Sequence, residues 1–230
     1  MGADRIFSPN NLSGATKKIY EYLYDEIVSG HLPPGSALSE LDISKKLHTS
    51  RTPVREATMA LEGLGMVRRY PGRGCFVAEI TAQDINEIFS LRILLEVAAL
   101  RASYHLIDPR SLALLEQDLL ALTPEDRPDA YYDTDRRLHE LIISSCGNMR
   151  LMLILRTLNG QIEQLRRISA KQPLRLRASR QEHLDLVAAL KSQDLERSCQ
   201  LLDAHIRNVQ ASTLSACMQM GLADMRGHTD

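Results

Sequence analysis

Beyond Ile80–Thr81 this 230-residue chain keeps a single hydrophobic period, and that boundary sets its architecture. Before it, the pattern is mixed. Residues 16–29 carry Ile19, Tyr20, Leu23, Tyr24, Ile27 and Val28 at the three-and-four spacing of an amphipathic helix, which Gly30 ends. Leu32-Pro33-Pro34-Gly35 is a loop, since proline lacks the amide donor and turns the residue before it away from helix. Ser39 caps a short helix to about Leu47, and Ser50 caps another to about Leu64, with Pro53 in its first turn, where a missing amide hydrogen costs little. Met66–Tyr70 and Cys75–Ile80 then read as strands around Pro71-Gly72-Arg73-Gly74. After Thr81, itself a cap, only the helical period remains, at about 82–105, 110–122, 129–146, 149–169, 173–191 and 194–219. The expected breaks lie near Asp108-Pro109, Thr123-Pro124, Gly147-Asn148, Gln172-Pro173 and Ser192-Gln193. The expectation is a mainly α fold. An N-terminal winged helix-turn-helix over 8–80 is followed by an all-α antiparallel helical bundle over 81–222, in which Met149–Leu158, apolar almost all round, is the central buried helix.

Two modest domains suit this length, and 44% hydrophobic with 25% charged residues is enough for two cores. No apolar run approaches the roughly 20 residues that cross a bilayer, and Met-Gly-Ala-Asp-Arg-Ile is no secretory leader, so a cytoplasmic protein with no membrane partner is expected. Cys75, Cys146, Cys199 and Cys217 are scattered, which suggests buried thiols rather than disulfides or a thiolate metal site.

A net charge of −1 does not advertise a nucleic-acid partner, but the local balance does. Arg51, Arg55, Arg68, Arg69 and Arg73 lie within residues 51–74 against only Glu56 and Glu62, and phosphate neutralisation acts contact by contact. Val54, Ala57, Leu61 and Leu64 can anchor the helix that starts at Ser50, leaving Arg51, Thr52 and Arg55 on its other, N-terminal edge. A recognition helix enters the major groove by that end, where arginine can bond guanine and serine or threonine can bind phosphate. Arg73, flanked by glycines, suits a narrow minor groove.

In order and spacing, Leu38-Ser39-Glu40, Ser50-Arg51-Thr52-Pro53-Val54-Arg55-Glu56-Ala57, Leu61-x-x-Leu64-Gly65-Met66-Val67 and Gly72-Arg73-Gly74-x-Phe76-Val77 resemble the DNA-binding domains of the GntR family of bacterial transcription regulators. The resemblance implies DNA contacts from Ser50, Arg51, Thr52, Arg55, Gly72 and Arg73. Leu41 stands where some members have arginine, so the phosphate or base contact of those members is not expected here.

In the second half, Asp135 and His139 are one turn apart on a face shared with Leu138, Ile142 and Cys146. His183 shares a face with Val187 and Leu190, and His205 lies with Leu202, Ile206 and Val209. One histidine on an apolar face is usually core. Three imidazoles and a carboxylate on the inward faces of three helices instead suit a borderline divalent cation such as Zn²⁺, Ni²⁺ or Mn²⁺. Asp135-x-x-x-His139 with Asn148, Glu182-His183 and Ala204-His205-Ile206 also resemble the FCD effector domain of the FadR subfamily. That resemblance implies a divalent metal on Asp135, His139, His183 and His205, and a small carboxylate effector that completes its coordination. Arg92, on the stripe Ile85, Ile88, Phe89 and Glu96, requires a partner: either Glu96, one turn away, or an effector carboxylate. Arg166, Arg167, Lys171, Arg175, Arg177 and Arg180 read as a solvated face.

The expected function is a ligand-responsive DNA-binding regulator and not an enzyme, in its simplest form a repressor, that binds an inverted-repeat operator in double-stranded DNA as a homodimer. Two other readings stand beside it. A metal-dependent hydrolase could use the same Asp and three His to activate water, although no further inward carboxylate offers itself as a base. The bundle could also be metal-free, its histidines packing a dimerisation domain.

Overall fold

A computed structural model describes Leu12, residues 14–123, 127–169 and 173–219, and Gly221. The expected breaks at Pro124 and Gln172, Lys171 of the basic cluster, and the outer ends of the two expected domains lie outside the described residues. The chain divides into two compact units: residues 1–80 with 157–167, and residues 81–156 with 168–230.

In the first unit, α1 (Gly14–Val28), α2 (Glu40–Lys46) and α3 (Arg51–Gly63) precede an antiparallel pair, β1 (Val67–Tyr70) and β2 (Gly74–Val77). The apolar stripes read from the sequence form its core, where Leu23, Ile27, Val54, Ala57 and Leu61 are fully buried. Ser39 caps α2 by accepting from the Asp42 amide at 3.2 Å. Ser50 holds the N-cap position of α3 without a side-chain capping bond. The turn between α2 and α3 is closed by His48, whose φ of 49° is left-handed. At the strand turn, Arg73 N–H donates to the Tyr70 carbonyl at 3.1 Å. Pro71 and Gly72, with φ of 73°, fill the inner positions as a type II turn requires. The sequence pattern does not reveal a third pairing. Leu38 N–H donates to the Cys75 carbonyl at 2.7 Å and Val77 N–H to that of Ser36 at 2.8 Å, so the loop before α2 runs along β2.

The regular structure among the second unit's described residues is helix alone. It contains α4 (Ala82–Ser103), α5 (Pro109–Ala121), α6 (Pro128–Ser144), α8 (Pro173–Lys191), α9 (Leu195–Gln219) and the ends of α7 (Met149–Ser169). Thr81 and Asp84 form a reciprocal capping box at the start of α4. Asp108 caps α5 ahead of Pro109, and Asn148 Oδ1 caps α7 by accepting from the Leu151 amide at 3.1 Å. Helix α4 packs on α6 and α9, and α8 packs on α5 and α9. These four contacts place α4, α6, α8 and α9 around one interior.

Two expectations fail here. Met149–Leu158 is not a buried helix: Leu151 and Leu155 are buried, but Met149 is 62%, Leu153 43% and Ile154 48% exposed. Its packing contacts lie on one side, so an apolar run does not by itself bury a helix all round. The basic cluster is not one solvated face either, although Arg177 is exposed. Arg166 is buried against Glu163 at 2.9 Å, Arg175 grips Glu182 at 2.9 and 2.7 Å, and Arg180 donates to the last carbonyls of α5, Leu119 at 2.6 Å and Leu120 at 3.0 Å. Those carbonyls have no partner within their own helix, so a guanidinium there acts as a C-terminal cap.

Candidate metal centre and nucleic-acid interface

Asp135 and His139 project from α6, His183 from α8 and His205 from α9, and all four are buried. One ligand atom from each lies within 4.8 Å of the others. His183 Nε2 is 3.2 Å from His205 Nε2 and 3.3 Å from Asp135 Oδ1, and His139 Nε2 is 3.9 Å from the same oxygen.

The far side of each ring explains why these nitrogens face one another. Glu96 on α4 places Oε2 2.5 Å from His139 Nδ1, and its Oε1 accepts from Arg92 Nε at 2.8 Å. Glu182 places Oε2 2.7 Å from His205 Nδ1 and is gripped by Arg175. The Tyr131 hydroxyl donates to Ser179 Oγ at 2.5 Å and lies 3.1 Å from His183 Nδ1, where its oxygen can accept. Every Nδ1 can thus hold its proton against an acceptor, which leaves three Nε2 lone pairs and the Asp135 carboxylate turned toward one point.

The titration of His205, Glu182 and Tyr131 agrees. Burial lowers the His205 pKa to about 4, against the upward pull of Glu182, so the ring is neutral at neutral pH. Burial alone would raise Glu182, but the hydrogen bonds from His205 and Arg175 outweigh it and hold the carboxyl at about 2. Burial, reinforced by the Asp135 charge, pushes the Tyr131 phenol well above its ordinary value.

A divalent metal fits this donor set. Neutral imidazoles and one carboxylate are borderline ligands, and metal bonds of roughly 2.0–2.1 Å place neighbouring donors about 3–3.5 Å apart. His139 Nε2 is buried with no hydrogen-bond partner, as expected of an atom that serves as a ligand. Without a cation or proton, acceptors so close would repel.

Arg92 is fully buried, its guanidinium also 5.4 Å from the Phe89 ring centre. Of its two expected partners, Glu96 is in contact. Sequence reasoning missed Glu96, Tyr131 and Glu182 as partners of the histidine rings. Only the placement of Glu182 beside His183 hinted at one of them.

In the first unit, Ser50, Arg51, Thr52 and Arg55 are exposed along the leading edge of α3, opposite buried Val54, Ala57 and Leu61. Gly72 and Arg73 are exposed at the strand turn, with the Arg73 guanidinium 5.7 Å from the Tyr70 ring centre. Arg69, part of the same basic stripe, is committed elsewhere: it donates to Glu40 at 2.9 Å and to Thr58 Oγ1 at 3.1 Å.

Comparison with known proteins matches residues 15–77 to the family described as bacterial regulatory proteins, gntR family, and residues 87–208 to the FCD domain. The HTH-type transcriptional regulator BphR of Paraburkholderia xenovorans is 28% identical over 96% of this chain and 95% of its own. A GntR regulator from Rhodococcus sp. RHA1 has a similar structure, with a TM-score of 0.76 at 24% identity over 88% of this chain and 99% of that one. The Zn²⁺-bound FCD domain of TM0439 gives a TM-score of 0.53 at 24% identity over 59% of this chain and 95% of that one. These two structural likenesses concern the fold. No helix among the described residues is long and apolar enough to cross a membrane. With a gntR-type helix-turn-helix and an FCD domain in one chain, and regulators rather than enzymes as its relatives, the protein belongs to the GntR family of bacterial transcription regulators.

Proposed function

We propose that this regulator is a cytoplasmic homodimer of the FadR subfamily, a repressor in its simplest form. Its 8–80 domain binds an inverted-repeat operator and its 81–222 domain senses a small carboxylate through a divalent metal, Zn²⁺, Ni²⁺ or Mn²⁺. The observation that carries the sensor reading is the convergence of Asp135, His139, His183 and His205 within 4.8 Å, every ring backed on its other nitrogen.

The roles of the residues follow from their chemistry. Arg51, Thr52 and Arg55 read or grip the major groove, Ser50 binds phosphate at the start of α3, and Gly72 lets Arg73 approach the minor groove. Two-fold symmetry doubles the few base pairs that one recognition helix reads. Asp135, His139, His183 and His205 hold the cation. When bound, the cation supplies positive charge and coordination positions for an effector carboxylate. Glu96 and Glu182 hold two rings in the ligating tautomer, Tyr131 can accept from the third, and Arg92 supplies the second anchor for the effector. The effector changes DNA affinity only as far as it distinguishes the DNA-competent dimer from the incompetent one, typically about 1–3 kcal/mol.

A thermal-shift screen of small organic acids, run on metal-loaded and metal-stripped protein, tests this reading. It expects at least one acid to raise the melting temperature only when metal is present. Acids that act equally on both forms, or protein that takes up no metal, would oppose it.

A further inference from the structure

Three buried side chains lead from α4 into the cluster. Arg92 Nε donates to Glu96 Oε1 at 2.8 Å, and Glu96 Oε2 lies 2.5 Å from His139 Nδ1. Arg92 is 0%, Glu96 1% and His139 2% exposed, so water has little access to rearrange these contacts. The order recurs on the other side of the cluster, where Arg175 grips Glu182 and Glu182 faces His205 Nδ1 at 2.7 Å. His183 differs. Its partner is the Tyr131 hydroxyl, and a hydroxyl can donate or accept.

A guanidinium only donates, so the oxygen it holds must accept. On a carboxylate the second oxygen accepts too, so His139 Nδ1 must carry the ring proton and Nε2 must offer its lone pair to the cluster. We propose that Arg92 and Glu96 act as a polarity-setting pair that fixes the tautomer of His139 and thereby controls the affinity of the Asp135/His139/His183/His205 cluster for a divalent cation, although neither belongs to the cluster. This rests on the metal reading above and adds a means of regulation. A change that draws the Arg92 guanidinium away from Glu96 alters cation binding without changing any of the four ligands.

Substituting an amide for the carboxylate separates polarity from shape. In E96Q, the Arg92 Nε–H still points at the side chain of residue 96, so the amide oxygen turns toward it and the amide NH₂ turns toward His139 Nδ1. The ring proton is then driven to Nε2, the nitrogen the cation needs. Removing the guanidinium as well, in R92M/E96Q, frees the amide to present its oxygen to Nδ1 and restores the ligating tautomer.

The experiment uses full-length protein, Zn²⁺ as the probe, competition titration for affinity, and ¹⁵N imidazole spectra of the EDTA-treated protein, with His139 assigned by its loss in H139Q. The expectation is a roughly 10- to 100-fold loss of Zn²⁺ affinity in E96Q, with the His139 Nε2 resonance moving from pyridine-type to pyrrole-type. R92M/E96Q should bind Zn²⁺ more tightly than E96Q. Wild-type affinity in E96Q, or a folded R92M/E96Q no better than E96Q, overturns the proposal. Should neither variant fold, wild type alone decides: a protonated Nδ1 on His139 supports the pair and a protonated Nε2 overturns it. Wild type that binds no Zn²⁺ defeats the metal reading and the affinity claim with it, while the same spectra still report whether Arg92 and Glu96 set the tautomer.

Discussion

His183 Nε2 stands 3.2 Å from His205 Nε2 in the protein interior, each ring held from behind, by the Tyr131 hydroxyl and by Glu182. With the proton of each ring on Nδ1, the two Nε2 atoms oppose lone pair to lone pair. The arrangement is therefore expected to be less stable empty than loaded. A divalent cation at about 100 times its dissociation constant should add about 2.7 kcal/mol to the stability of the folded chain. The melting temperature should rise on adding Zn²⁺, Ni²⁺ or Mn²⁺ and fall back with EDTA. A melting temperature indifferent to all three would contradict the metal reading.

The metal-free protein should be acid-sensitive in a defined window. Burial holds His205 at about 4, below the ordinary value near 6.5 that it regains on unfolding. The unfolded chain therefore takes up a proton that the folded chain refuses, and stability falls as pH drops from about 6.5 toward 4, by up to about 3 kcal/mol. Urea titrations in EDTA should show this slope in wild type and a shallower one in H205Q. Equal slopes would mean that His205 is not held neutral.

The arginines of the first unit should separate into two kinds. Arg51→Ala and Arg55→Ala should each cost about 1–3 kcal/mol of specific DNA binding and leave the melting temperature near wild type. Arg69→Ala should lower the melting temperature, because it strips partners from Glu40 and Thr58. Binding and thermal-melting measurements on the same preparations check both. Wild-type operator affinity in the Arg51 and Arg55 variants would rule out α3 as the recognition helix.

The sequence shows some of this plainly, and the reason is geometric. Asp135 and His139 repeat with the helical period beside Leu138 and Ile142, so their inward direction can be read from one helix alone. The contact between His139 and Glu96 cannot, because it joins α6 to α4 across 43 positions and depends on how the two helices pack. Arg69 looks like its basic neighbours in sequence; only the approach of Glu40 from α2 separates it from them. Met149–Leu158 misleads for the converse reason, since composition records apolar side chains but not which side of a helix has a neighbour. The run of residues 35–38 along β2 is hidden by its proline and glycine flanks, which read as loop.

The effector response and the metal should fail together. His205→Ala removes one donor and leaves α3 and the wing untouched, so operator binding without effector should stay near wild type while the graded response disappears. Fluorescence anisotropy with operator DNA would show it. A normal response in this variant would place the sensor elsewhere.

The most direct test of the central claim is the metal content of full-length wild type and His183→Ala after loading with Zn²⁺ and desalting. His183 is fully buried and lies nearest to both His205 and Asp135 in the cluster, so its loss should open the site from the middle. The account predicts stoichiometric Zn²⁺ in wild type and little in the folded variant; a variant that keeps stoichiometric Zn²⁺ would contradict it.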